Sequence, residues 1–280
     1  MLSVRCAYDF FLCVLSFFPK KFNLRCGIIF KNAAKGTQKM ARKIVITSGK
    51  GGVGKTTVCC NLGVQLARLG YRVIIADLDF GLNNVDVVLG LEHKAIYDVS
   101  DAVEGRCRAR QVLNSHPEYP TFFSVSSNRV PDRYVSPQAV RLVLDTLSPQ
   151  YDFILIDSPA GIDEGFHRAV SCAEEGLLIT TPHISAMRDA DRVAGMLKSY
   201  RLNSVGLVVN LVRKDMARRG EILTPQEISE IIRLPLAAVV LEEDKLYLNN
   251  IFKRSRAFRA LAECVIEGKR DENEKKQFRR

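Results

Sequence analysis

Gly49-Lys50-Gly51-Gly52-Val53-Gly54-Lys55-Thr56 combines residue types and a spacing that can hold a polyphosphate. It fits the pattern G-x-x-x-x-G-K-[ST] between an apolar run, Ile44-Val45-Ile46, and an apolar-periodic segment that opens at Thr57, the strand-before, helix-after context the pattern requires. Glycines let successive backbone N–H groups turn toward one phosphate, and the following helix N-terminus adds about half a positive charge. Lys55 is then placed to reach the β- and γ-phosphates, and the Thr56 hydroxyl to hold Mg²⁺. The plain alternative, a flexible glycine turn, does not account for the lysine, the threonine and both flanks together. Lys50, directly after the first glycine, is a second cation where most phosphate loops carry none. It suits a loop whose phosphates are gripped twice, once in cis and once from a facing subunit.

Phosphoryl transfer needs charge neutralisation and an oriented water more than covalent help, so the partners to seek are carboxylates at strand ends. Asp157 follows Ile154-Leu155-Ile156 and is the natural metal-holding acid. Asp77 ends the run Val73 to Ala76, with Asp79 two residues on; extended geometry would set both on one side. Asp77 reads as a further metal ligand. Asp79, just before Gly81, is the better group for orienting the attacking water.

The elements that must position these groups alternate in type. Apolar strands are expected at Val73 to Ala76, Phe122 to Val125, Phe153 to Ile156, Gly176 to Thr180, Val205 to Asn210 and Ala237 to Leu241. Amphipathic helices are expected at Thr56 to Leu69, with Gly70 just past its end, at Glu164 to Ala173 and at Ser185 to Tyr200. Ser136-Pro137 starts another, to Leu147, and the box Thr224-Pro225-Gln226-Glu227 starts one ending at Ile232. Short helices fit Tyr97 to Glu104 and Arg108 to Leu113, and two more fit Asp244 to Phe252 and Ala257 to Glu267. Such alternation predicts an α/β fold, a doubly wound and mostly parallel sheet with helices on both faces, with ligand groups at the strand C-termini.

Composition bounds the rest. The 280 residues, 47% hydrophobic, suffice for one large domain. The net charge of +10 is uneven: residues 1–40 carry seven Lys/Arg and one acid, 269–280 six and three, leaving 10 − 6 − 3 = +1 for the body. A nearly neutral body is poor material for a nucleic-acid surface, so no nucleic acid is expected. The domains are read as an N-terminal extension or targeting segment at 1–40, a P-loop ATPase domain at 41–268 and a basic tail at 269–280. The apolar run Phe10 to Phe18 is far short of the roughly 20 residues a membrane span needs. The leader is acid-poor and basic, as organelle-import segments are, its apolar run could also mark a secretory signal, and Met40 reads like an older start site, which leaves an upstream extension with no targeting role as the plain alternative. Eight scattered cysteines form no C-x-x-C pair and no metal spacing, so reduced thiols are expected.

The core Lys50 to Thr57 resembles the deviant Walker A ATPases, the ParA/MinD family. Asp77-Leu78-Asp79-Phe80-Gly81-Leu82-Asn83-Asn84-Val85-Asp86 is similar to the D-x-D-x-G-L-R-N-L-D segment of its MinD members. Asp157-Ser158-Pro159-Ala160-Gly161-Ile162, Thr180-Thr181-Pro182 and Arg188-Asp189-Ala190-Asp191-Arg192 resemble further MinD segments in the same order, over 41–268. The resemblance implies an ATP- and Mg²⁺-dependent homodimer that hydrolyses ATP and places the division site at a membrane, with a MinC-like inhibitor and a MinE-like activator as partners. It implies nucleotide contacts from Gly49, Lys50, Gly51, Gly52, Val53, Gly54, Lys55, Thr56 and Thr57. Asn210 matches the family position that contacts adenine. Catalytic roles fall to Lys50, Lys55, Asp79 and Asp157, and metal roles to Thr56, Asp77 and Asp157. A plastid location, stroma and inner membrane surface, is expected, with the bacterial cytoplasm and inner membrane face as alternative.

A ParA-like DNA-partition ATPase is the rival reading, which the body charge does not favour. A cluster-bearing electron-transfer ATPase would need cysteines near 157–165, where there are none. Small-molecule phosphoryl chemistry would need a second substrate. Two departures from the family stand out: Leu241-Glu242-Glu243-Asp244 replaces a P-E-D segment, and the tail from Asp271 to Arg280 offers one large apolar residue, Phe278, where the family has an amphipathic helix. The six basic residues of 269–280 would each add about 1 kcal/mol on an anionic surface, a salt-sensitive attraction without an apolar face. Liposome co-sedimentation with ATP is therefore expected to give weak binding lost at high salt; tight, salt-resistant binding would contradict this.

Overall fold

The computed structural model describes residues 40–80, 84–92, 94–127, 135–242 and 255–267. The leader to residue 39, Gly81 to Asn83, the expected helix Asp244 to Phe252 and the tail lie outside these residues.

Eight strands form one sheet: β1 Arg42–Thr47, β2 Val73–Asp77, β3 Leu113–Ser115, β4 Phe122–Val125, β5 Phe153–Asp157, β6 Glu175–Thr180, β7 Ser204–Val212 and β8 Leu236–Leu241. Their order is β3-β4-β2-β5-β1-β6-β7-β8, parallel except for the edge pair β3–β4. The helices are α1 Lys55–Arg68, α2 Asn84–Leu89, α3 Val99–Val103, α4 Pro137–Leu147, α5 Glu164–Ser171, α6 Ile184–Leu197, α7 Lys214–Arg218, α8 Pro225–Ile232 and α9 Arg256–Glu267. The expected doubly wound α/β sheet is therefore present.

Strand side chains alternate between two apolar layers, as a sheet covered on both faces requires. Ile74, Ala76, Ile154 and Ile156 pack under α4, α5, α6 and α8, while Val73, Ile75, Phe153 and Leu155 pack under α1 and α9. Burial of each of these side chains other than Ala76 contributes about 1.5–3 kcal/mol. At the far end of the sheet the Arg42 guanidinium donates to both oxygens of Glu175, at 2.7 and 2.6 Å, and to the Val265 carbonyl at 2.6 Å, tying β1, β6 and α9 together.

Local signals set most boundaries. Ser136 accepts a hydrogen bond from the Ala139 N–H, with Pro137 at the first helical position, and Thr224 with Glu227 completes its capping box. Gly70, at φ 89°, closes α1: its N–H donates to Ala67 and the Tyr71 N–H to Leu66, the two bonds of a glycine-terminated helix end. The segment expected as a helix over Arg108 to Leu113 is a single 3-10 turn, Ala109–Val112, that runs into β3.

Register fixes the functional rim. Asp157 pairs with Ile46 on β1 and with Asp77 on β2, so the C-terminal tips of β1, β2 and β5 stand level. β1 is also where chain direction across the sheet reverses, the place where ligands bind in open α/β sheets.

Candidate functional site

The loop after β1 wraps the N-terminus of α1. Gly52 and Gly54 lie at φ 78° and 84°, backbone that L side chains adopt with strain. Gly54 is the N-cap of α1 and no side chain caps that end, so the first-turn N–H groups face the loop rather than a protein oxygen. Gly49 is pressed on α6: a Cβ there would lie 2.3 Å from the Asp189 carbonyl carbon.

Lys50, Gly51, Gly52, Gly54, Lys55, Thr56 and Thr57 line one wall of a cleft of about 500 Å³, closed on the other side by Asp79, Asn84, Pro159 and Ala160. Of the strand-tip acids picked out from sequence, Asp79 lines this cleft, whereas Asp77 and Asp157 are not among its lining residues. Val53 is buried, and Asn210 lies behind the loop, where its Nδ2 donates to the Val53 carbonyl at 2.8 Å.

Beneath the cleft the charges are interlocked. Lys55 Nζ lies 3.0 Å from Asp157 Oδ1, and the Thr56 hydroxyl donates to Asp157 Oδ2 at 2.7 Å. Asp157 is fully buried and Lys55 nearly so. Burial pushes the Asp157 carboxyl up, opposed by the Lys55 ammonium and the Thr56 hydroxyl. Burial raises Asp77 to about 7, with the Asp157 charge adding to the rise and N–H groups of Asp79 and Val85 opposing it. Asp79, half-buried, is also raised by burial and held down by Lys55.

The strand ends at Asp77, and its carboxylate is taken up by backbone N–H groups of the segment that follows. Asp77 Oδ1 accepts the Asp79 N–H at 2.9 Å and Oδ2 accepts the Val85 N–H at 3.1 Å. The Asp77 carboxylate thus secures the turn and the start of α2.

Two partners had no clear sequence signal. Lys50, exposed at the lip, donates to the Ser185 hydroxyl at 2.9 Å, a contact between residues 135 apart. The Ser48 hydroxyl donates to the Lys50 carbonyl at 3.0 Å. The loop after β5 is tied in as well: Ser158 N–H donates to Ile46 and Gly161 N–H to Ser48.

The donor set suits a small hard cation. A hydroxyl and a carboxylate are hard oxygens, and Mg²⁺ is usually held by one or two protein oxygens with phosphate and water completing the shell. No group of three His, Cys, Asp or Glu that could hold a metal by protein ligands alone occurs among the described residues.

The CobQ/CobB/MinD/ParA nucleotide binding domain family matches residues 44–252. The MinD relative of Oltmannsiellopsis viridis is 43% identical over 222 residues, 78% of this chain and 69% of its own. The septum site-determining protein MinD of Bacillus subtilis is 41% identical over 210 residues, 74% and 78% of the two chains. Among solved structures, the MinC:MinD cell division protein complex of Aquifex aeolicus superposes with TM-score 0.74 at 34% identity, over 81% of this chain and 96% of that one. MinD of Pyrococcus horikoshii, complexed with Mg-ADP, gives 0.66 at 29%, over 81% and 96%. A plasmid partition protein from Borrelia burgdorferi gives 0.65 at 16%, over 82% and 99%, a likeness of fold alone.

A buried ion pair makes a quantitative prediction. In urea unfolding without nucleotide, Lys55→Met and Asp157→Asn should each lower stability by about 3–5 kcal/mol by stranding the other group, and the double variant by less than the sum of the two. Additive losses would show that the two charges do not depend on each other.

Proposed function

The chain belongs to the MinD/ParA family of P-loop ATPases, and from that premise we propose that it is a Mg²⁺-dependent, ATP-driven dimer that places the division site. The loop N–H groups, the α1 dipole and Lys55 bind the β- and γ-phosphates; Thr56 and Asp157 hold Mg²⁺, which neutralises charge on the phosphates. Lys55 exchanges its bond to Asp157 for the phosphates, so that a buried cation keeps an anionic partner throughout. Asp79, on the wall facing the loop, orients the water that attacks the γ-phosphorus as the bridging β–γ P–O bond breaks, giving ADP and phosphate.

Lys50 carries the dimer reading. It is exposed at the cleft lip and bonded to a neutral hydroxyl, an arrangement that lets it leave Ser185 for a partner's phosphates at small cost. The proposed dimer recruits a MinC-like inhibitor, supported by the MinC:MinD complex among the relatives, and answers to a MinE-like activator at a membrane surface. A plastid location, stroma and inner membrane surface, fits the algal relatives, with a bacterial cytoplasm as the alternative. No helix among the described residues is long and apolar enough to cross a membrane. A DNA-partition role has weaker support, since the partition protein shares 16% identity.

Size-exclusion chromatography with Mg-ATP should give a dimer for the native chain and a monomer for Lys50→Ala, which still binds nucleotide; an intact Lys50→Ala dimer would reject the role of Lys50. Asp79→Ala should keep ATP binding and lose turnover about a hundredfold. Unchanged turnover would remove it as the water-orienting group.

A further inference from the structure

Arg168 projects from α5 with 8% of its surface exposed, and among the described residues it has little to neutralise it. The one carboxylate within 4 Å, that of Glu164, stands 3.8 Å away and is itself 68% exposed. The Arg168 Nε donates to the Val135 carbonyl at 3.0 Å, and the guanidinium carbon sits 4.4 Å from the centre of the Phe80 ring. Taking a guanidinium out of water is costly, and an apolar side chain would fill the same space without that cost. What the cation adds is a directed attraction for the face of a ring, strengthened where water is excluded.

Phe80 directly follows Asp79. The Asp79 backbone is held on two sides: its N–H donates to Asp77 Oδ1 at 2.9 Å, and its carbonyl accepts from the Ser127 hydroxyl at 3.2 Å. Neither bond reaches past Asp79, whereas the Phe80 ring on Arg168 ties the chain as it leaves that residue. The same helix supports the other half of this cleft wall. A Cβ on Gly165, in the first turn of α5, would lie 2.5 Å from Pro159 Cγ, so the missing side chain lets Pro159 seat on the helix. Pro159 and Asp79 both line the cleft opposite the phosphate loop. One helix is thus the base for both segments that face the loop.

We propose that Arg168 is a positioning residue: by holding the Phe80 ring it sets the place of the Asp79 carboxylate against the loop after β5, and so the place of the attacking water. The proposal deepens the reading of Asp79 as the water-orienting group and rests on it. Small displacements of such a group slow the chemical step. The phosphate loop lies on the other wall and keeps its own bonds, so the effect falls on rate and not on affinity.

Single-turnover phosphate release from bound Mg-ATP, with the dissociation constant of Mg-ADP measured in parallel, separates the two in the full-length chain. Arg168→Met keeps the length of the side chain and removes its charge; it should slow release about tenfold and leave the dissociation constant within about twofold of native. Arg168→Lys, which restores a cation over the ring, should bring release back to within about threefold of native. Phe80→Leu should slow release about tenfold, and the double variant Arg168→Met/Phe80→Leu also by about tenfold rather than about a hundredfold, because either change breaks the same contact. Native release in Arg168→Met, multiplied losses in the double variant, or Arg168→Lys no faster than Arg168→Met would overturn the proposal. So would equal loss of rate and affinity, the mark of a general disturbance of the fold. Should Arg168→Met fail to fold, slow release in Phe80→Leu together with near-native release in Arg168→Lys is required. If Asp79→Ala releases phosphate at the native rate, the reading of Asp79 falls and the positioning role with it; if Asp79→Ala is slow while Arg168→Met is native, the positioning role alone falls.

Discussion

Burying Lys55 and Asp157 together constrains the whole molecule. Each charge costs several kcal/mol to take out of water, and only close mutual pairing with a further hydrogen bond offsets that. The pair spans the end of β5 and the first turn of α1, with the Thr56 hydroxyl on the second carboxylate oxygen. The tips of β1, β2 and β5 must therefore stand level, as their register has them. The glycine loop can then complete its turn only with φ values that glycine takes without strain. On the proposed reading, a site so arranged holds its anion-binding groups in place before any phosphate arrives.

The loops around the cleft share this framework. Leu78 N–H donates to the Asp157 carbonyl, Ser158 N–H to Ile46 and Gly161 N–H to Ser48, so the chain after β2 and the chain after β5 are both tied to the strand tips that carry the charges. Farther out, the Arg168 guanidinium lies 4.4 Å from the centre of the Phe80 ring and its Nε donates to the Val135 carbonyl. That contact joins α5 to the segment that carries Asp79.

Much of this was legible in the residues because the information was local. The phosphate loop depends on glycines and two side chains within eight positions, the helix starts at Ser136 and Thr224 depend on caps within four, and buried parallel strands are continuous apolar runs. What escaped the sequence depends on distant partners. The three-residue edge strand β3 exists because β4 offers it a ladder, and α2 begins where the Asp77 carboxylate, eight residues away, accepts the Val85 N–H. The same holds inside the site. The family pattern marks Asn210 as a nucleotide residue, but its contact with the Val53 carbonyl spans 157 residues and no local signal announces it. The contact between Lys50 and Ser185 links the loop to a helix whose first turn looks ordinary in sequence.

The central claim is that the Lys55–Asp157 pair is the resting form of a polyphosphate site. A crystal structure of the full chain with Mg²⁺ and a non-hydrolysable ATP analogue tests it most directly. The account predicts the β- and γ-phosphates against the N–H groups of 51–56, with Lys55 Nζ moved from Asp157 onto phosphate oxygens. Nucleotide bound elsewhere, or phosphates in this loop with Lys55 still on Asp157, would contradict it.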